Sequence, residues 1–195
     1  MDEAALIRQA QRGDATAYNS LVLHYQDSVY SVAYRLVGES STAADIVQEA
    51  FISAYKAIDR FRGGNFRAWL LRITTNAAYD ELRRRKRHPQ SSLDEIQEQN
   101  ESSAVLLNPD TLGPEELHYR RELMRAIERC LEELPAEQKA AAILSDIEGY
   151  DYQAIAEVMN ISLGTVKSRL SRARAKLRDC LQTTRELLPT EYRLE

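Results

Sequence analysis

The chain has 195 residues, 26 Lys or Arg against 30 Asp or Glu, and a net charge of −4. That is room for one domain or two small ones, and it excludes a basic coat for nucleic acid, because the cations are clustered rather than abundant. No stretch approaches the roughly 20 apolar residues of a membrane span, and the acidic opening MDEAALIRQAQRGD lacks the apolar run of a signal peptide, so a soluble, cytoplasmic protein without membrane insertion is expected.

Helical periodicity runs through almost the whole chain, and no convincing alternating strand interrupts it. A first helix is expected over residues 3–12, stopped by Gly13. Asp14 then caps a long second helix whose Tyr18, Leu21, Val22, Tyr25, Val29, Val32, Ala33 and Leu36 form an apolar face ending at Gly38. A third, capped by Ser41 or Thr42, carries Ile46, Val47, Ala50, Phe51, Ala54 and Ile58. After Gly63-Gly64, Asn65 caps a fourth with Phe66, Trp69, Leu70, Ile73 and Ala77 inward; it runs out in five consecutive cations, residues 83–87, before Pro89. Four such stripes can share one core.

Composition then changes. Residues 90–117 hold seven carboxylates, no Lys or Arg, and the prolines Pro109 and Pro114. A flexible acidic linker is expected there. A second helical domain opens near Glu115, with Leu117, Met124, Ile127, Leu131 and Leu134 on one face and Pro135 as its stop; a helix over 136–147 follows, ending before Gly149. The two cysteines, Cys130 and Cys180, are far apart in apolar helical registers. Buried free thiols are expected of them, and neither a disulfide framework nor a zinc site.

Residues 151–174, DYQAIAEVMNISLGTVKSRLSRAR, carry the most information. Asp151 caps a short helix bearing Ile155, Ala156 and Met159. Asn160 sits where the chain must turn, and Asn tolerates positive φ better than other non-glycine residues. Ser162 caps a second helix with Val166, Leu170, Ala173 and Leu177 as its apolar stripe. Residues 163–178 contain six Lys or Arg and no carboxylate. A solvated face normally mixes signs to gain i,i+4 pairs, and this one forgoes them all. The pattern is that of a helix-turn-helix laying its second helix in a DNA major groove.

Three segments taken together resemble the extracytoplasmic-function (ECF) group of bacterial sigma factors in the sigma-70 family. They are Asp45-Ile46-Val47-Gln48-Glu49-Ala50-Phe51; Phe66 with Trp69-Leu70-Leu71-Arg72-Ile73 and Asn76; and Gly164-Thr165-Val166-Lys167-Ser168-Arg169-Leu170. Their order and separation match as well as the motifs. The resemblance implies an all-α fold of two small helical domains. A region 2 domain of four helices would span residues 1–89 and a region 4 helix-turn-helix domain residues 115–184, joined by the flexible acidic linker of residues 90–114 and followed by a tail over 185–195.

It also implies roles. Asp45, Gln48 and Glu49, at i, i+3 and i+4 on one exposed face, would dock with Lys56 on the clamp helices of the largest subunit of core RNA polymerase. Asn65 and Asn76 would bind a flipped base of the minus-ten promoter element, with Arg72, Tyr79, Arg83 and Arg84 holding the unpaired strand. Ser162, Thr165, Lys167, Ser168, Arg169 and Arg172 would read the minus-thirty-five element, base edges near the helix start and phosphates further on. Trp69, followed here by Leu70 where primary sigma factors carry a tryptophan pair, is open to a core or a stacking role. Where relatives commonly have glycine, this chain has Asn160. The partners implied are core RNA polymerase, promoter DNA and an anti-sigma factor.

No cofactor is expected, and no catalysis: His24, His88 and His118 form no ligand or triad spacing, and no phosphate-cradling glycine loop is present. A free-standing helix-turn-helix repressor is the competing reading. It explains the second domain and leaves the DIVQEAF segment and the arginine-ended fourth helix without a task.

Overall fold

The computed structural model describes residues 2–87 and 113–183. The described residues form eight α-helices and no strand: α1 (Glu3–Gln11), α2 (Ala15–Val37), α3 (Ser40–Ala57), α4 (Phe66–Arg87), α5 (Pro114–Glu132), α6 (Ala136–Ala142), α7 (Tyr152–Met159) and α8 (Leu163–Gln182). The tail and nearly all of the expected linker lie outside them.

Local chemistry sets most boundaries as expected. Asp14 accepts from the amides of Thr16 and Ala17 at 2.8 and 3.1 Å, and Gly38, at φ +76°, ends α2. Asn65 accepts from the Ala68 amide at 2.9 Å and Asp151 from the Ala154 amide at 2.8 Å. Asn160 takes φ 52° and ψ 51°, the left-handed conformation that the turn demands.

Three details differ from the sequence reading. The cap of α3 is Glu39, not Ser41 or Thr42. Its carboxylate accepts from the Thr42 amide at 3.3 Å and is held from behind by Arg85 of α4, a partner far away in sequence. The helix expected over 136–147 changes character at Ile143, where a wider π-helical turn, Ile143–Ile147, takes over and delivers Glu148 to the other half of the molecule. And Cys130 and Cys180 are not free thiols: they form a disulfide, because the packing of α5 on α8 brings their Cα atoms to 5.7 Å. Spacing along the chain carries no information about that approach.

Helices α1–α4 pack around Leu21, Val29, Val32, Leu36, Leu70 and Leu71, all nearly or fully buried. The helix-turn-helix half has its own apolar stripe, Ile155, Val158, Val166 and Leu170, and this stripe joins the same buried cluster. The two helical domains therefore lie against each other, α7 on α4 and the α6 region on α2. Lys139, buried at the junction, donates to the carbonyl of Leu36 at 3.1 Å and so caps the end of α2 from the opposite half. A smaller cluster of Leu131, Leu134, Ala142 and Ala173, flanked by Ile127 and Leu177, fixes α5 to α8.

Candidate nucleic-acid and polymerase interfaces

The outer face of α3 follows from the burial of its inner one. Ala43, Ile46, Ala50 and Ala54 are buried, which turns Asp45, Gln48, Glu49 and Lys56 outward, all four exposed. Ile52 and Tyr55 join them, 47% and 43% exposed. The sequence reading missed both as surface residues. The available signal was that Ile52 falls off the 46–50–54 stripe. Acidic groups thus lie toward one end of this face, with an isoleucine and a tyrosine further along it.

The loop before α4 is braced on both sides. Gln11 donates to the carbonyls of Ile58 and Phe61 at 3.1 and 2.8 Å, and Asn65 caps the helix that follows. Between them Gly63 and Gly64 both take φ +93°, with open space around them. Trp69 settles into an aromatic cluster, its ring centroid 5.3 Å from Phe61 and 5.4 Å from Phe66. It is half-buried there, which favours packing over stacking on a base.

Along α4, Asn76 is exposed and Arg72 half-buried. Tyr79 is not at the surface in the same way. It packs against the buried cluster shared with the helix-turn-helix half, and its hydroxyl has no hydrogen-bond partner among the described residues. Burial pushes its phenol well above the ordinary tyrosine range, with the Arg169 charge opposing. A minus-ten candidate and a minus-thirty-five candidate thus lie within electrostatic reach of one another.

The cations at the end of α4 are largely tied down. Arg83 pairs with Asp80 at 3.3 Å, Arg84 with Glu81 at 2.7 Å, and Arg85 with Glu81 at 3.1 Å and with Glu39. Arg83 and Arg84 remain exposed, so solvent screens their pairs and leaves them weak.

In α8 the buried Val166, Leu170 and Ala173 orient everything else. Lys167, Ser168, Arg172, Lys176 and Arg178 are exposed, and Arg169 and Thr165 half-buried. The hydroxyls of Ser162 and Thr165 bond each other at 2.8 Å at the helix start. Ser168 donates to the Thr165 carbonyl at 3.0 Å. Arg174 belongs to the fold: it donates to Asp146 at 2.6 and 3.1 Å and to Ser145 at 3.2 Å. Among the described residues no cluster of His, Cys, Asp or Glu could hold a metal, and no helix is long and apolar enough to cross a membrane.

Comparison with known proteins agrees with this layout. Residues 21–88 match the model of sigma-70 region 2, and residues 124–177 that of sigma-70 region 4. The ECF RNA polymerase sigma-E factor of Escherichia coli K12 is 39% identical over 184 residues, covering 93% of this chain and 95% of that one. Among solved structures, CnrH in complex with the cytosolic domain of CnrY is 26% identical with a TM-score of 0.66, covering 92% of this chain and 96% of its own. RpoE of Bartonella quintana, solved with the anti-sigma factor NepR, is 28% identical with a TM-score of 0.62, covering 84% and 96%. The chain belongs to the extracytoplasmic-function sigma factors of the sigma-70 family.

Proposed function

We propose that this sigma factor works in the cytoplasm as a non-catalytic subunit that binds core RNA polymerase and carries it to promoters. Residues 1–89 act as region 2 and residues 115–184 as region 4. Asp45, Gln48, Glu49 and Lys56, with Ile52 and Tyr55 between them, dock on the clamp helices of the largest subunit. Asn65, Arg72, Asn76, Tyr79, Arg83 and Arg84 serve the minus-ten element, and Ser162, Thr165, Lys167, Ser168, Arg169 and Arg172 the minus-thirty-five element. The observation that carries most weight is the outer face of α8, which presents Lys167, Arg172, Lys176 and Arg178 and no carboxylate over residues 163–178.

The reading requires movement. Two readers at separate promoter elements cannot work while Tyr79 is covered by the helix-turn-helix half, so α7 separates from α4 when polymerase takes hold of both domains. An anti-sigma protein, as in the complex of the Bartonella RpoE with NepR, would act by holding these domains away from polymerase. Co-elution of the purified chain with bacterial core polymerase tests the proposal. Stoichiometric binding that is lost in the double substitution Asp45→Arg/Glu49→Arg is expected. A folded wild type that ignores polymerase and binds duplex DNA alone would point to the repressor instead.

A further inference from the structure

Cys130 on α5 and Cys180 on α8 are the two cysteines of the chain, and they are bonded to one another. The bond borders a surface cleft lined also by Glu133, Leu134, Lys176 and Asp179. Cys130 is 2% exposed and Cys180 half-buried, so Cys180 is the more exposed of the two residues. A factor that meets chromosomal promoters works among thiols that keep cysteines reduced, and a disulfide there is ordinarily transient and responsive rather than a permanent brace. We propose that Cys130 and Cys180 form a reversible thiol–disulfide site through which low-molecular-weight disulfides of the oxidised-glutathione kind control the region 4 half; this rests on the sigma-factor reading above.

The chemistry is thiol–disulfide exchange. The Cys180 thiolate attacks one sulfur of the small disulfide, whose S–S bond breaks and releases one small thiol. The Cys130 thiolate then attacks Cys180 Sγ and expels the second. Two protein thiols lose two electrons, the small disulfide gains them, and the two protons leave on the departing thiols. Excess small thiol reverses the sequence.

The consequence follows from how α5 is held. Its apolar contact with α8 and α6 is the small cluster of Leu131, Leu134, Ala142 and Ala173, with Ile127 and Leu177 at the edge. The covalent tie adds to a small apolar contact. Arg178 and Lys176 precede Cys180 by about half a turn and about one turn on α8, and Arg172 by about two. Reduction therefore loosens α5 and frays the last turns of α8, which carry the exposed Lys176 and Arg178 next to the minus-thirty-five set. The oxidised protein is the DNA-competent form.

The test uses the full chain equilibrated in glutathione buffers from fully reduced to fully oxidised, with thiols counted by alkylation. Each sample is assembled with core polymerase and transcribes a promoter selected from a random-sequence pool by the oxidised holoenzyme. The pair should titrate reversibly, and transcript should fall about fivefold or more on reduction. Cys130→Ser/Cys180→Ser should match the reduced wild type and ignore the buffer; reduced wild type itself carries the comparison if that variant folds poorly. Equal transcription in both redox states, with the thiols titrating, overturns the proposal and leaves the sigma reading intact. Thiols that stay reduced throughout overturn it too. Oxidised and reduced holoenzyme that both fail to select any promoter would remove the sigma reading on which it stands.

Discussion

Glu148 lies 2.9 Å from Arg35 of α2 and 3.3 Å from Arg67 of α4, its side chain 10% exposed between the two guanidiniums. One carboxylate, delivered by the widened turn after α6, thus fastens one half of the molecule to two helices of the other. Arg67 is fixed further by Ser28 at 2.7 and 3.1 Å and by the Tyr150 ring, 4.9 Å from its central carbon. Glu148→Lys sets three cations face to face. With Arg67 about one-third exposed and partly screened, it should weaken the contact by roughly 2–3 kcal/mol. A larger radius of gyration by small-angle scattering, with unchanged helicity, is the expected result; an unaltered radius would show that apolar packing alone holds the halves.

Ile52 gives a second prediction. It is exposed, so Ile52→Asp should leave thermal stability within about 0.5 kcal/mol of wild type. If it docks on polymerase, the same change should weaken core binding about tenfold or more. Fluorescence anisotropy against core enzyme, beside a melting curve, separates the two effects. A stability loss without a binding loss would place Ile52 in the fold instead.

Tyr79 should behave in two opposite ways. Its hydroxyl is buried without a partner among the described residues, so Tyr79→Phe is expected to stabilise the free protein by about 1 kcal/mol. Under the proposed function the hydroxyl becomes uncovered in the promoter complex and available to the unpaired strand. Open-complex formation, followed with permanganate or a fluorescent base, should slow in the same variant. Equal opening rates would assign Tyr79 to the domain junction only.

The Arg174–Asp146 pair predicts an acid limb. Burial alone would raise the Asp146 carboxyl, but the Arg174 guanidinium and the Ser145 hydroxyl outweigh it and hold the group below its ordinary value. A carboxyl lowered on folding contributes stability above its unfolded value, near 3.9, and loses that contribution as the pH falls through the lower folded value. Both side chains are more than a third exposed, so the contribution is about 0.5–1 kcal/mol. Asp146→Asn should lower stability by that amount at neutral pH and by progressively less below about pH 4. Urea midpoints across that range would show it; parallel curves would not.

Much of this was legible in the chain because the deciding information is local. Asp14, Asn65, Asp151 and Ser162 cap helices through amides two or three residues ahead, and Asn160 accepts its strained φ by its own chemistry. The outward set Asp45, Gln48 and Glu49 follows from an inward stripe within the same helix. What stayed hidden depends on partners distant in sequence. Glu39 caps α3 because Arg85 arrives from α4. Arg174 looks like one more cation of the recognition helix until Asp146 is found beside it. Periodicity identifies a buried stripe on α7 without saying that α4 is among what buries it, so Tyr79 reads as a surface tyrosine. The cysteines illustrate the same limit, since helical register says that each is inward and not that they meet.

The core shared by α4 and α7 also bears on selectivity in the cell. Any DNA or polymerase that needs the halves apart sees its intrinsic affinity multiplied by the fraction of molecules already apart. A small fraction makes the solitary factor a poor ligand for the many promoter-like sequences of a chromosome. Under the proposed function core enzyme would grip both halves at once and so recover that loss once for the whole assembly. The buried cluster that Leu70 and Leu71 share with Ile155 and Val158 would then act as a filter, admitting to promoters the factor in company and turning it away alone.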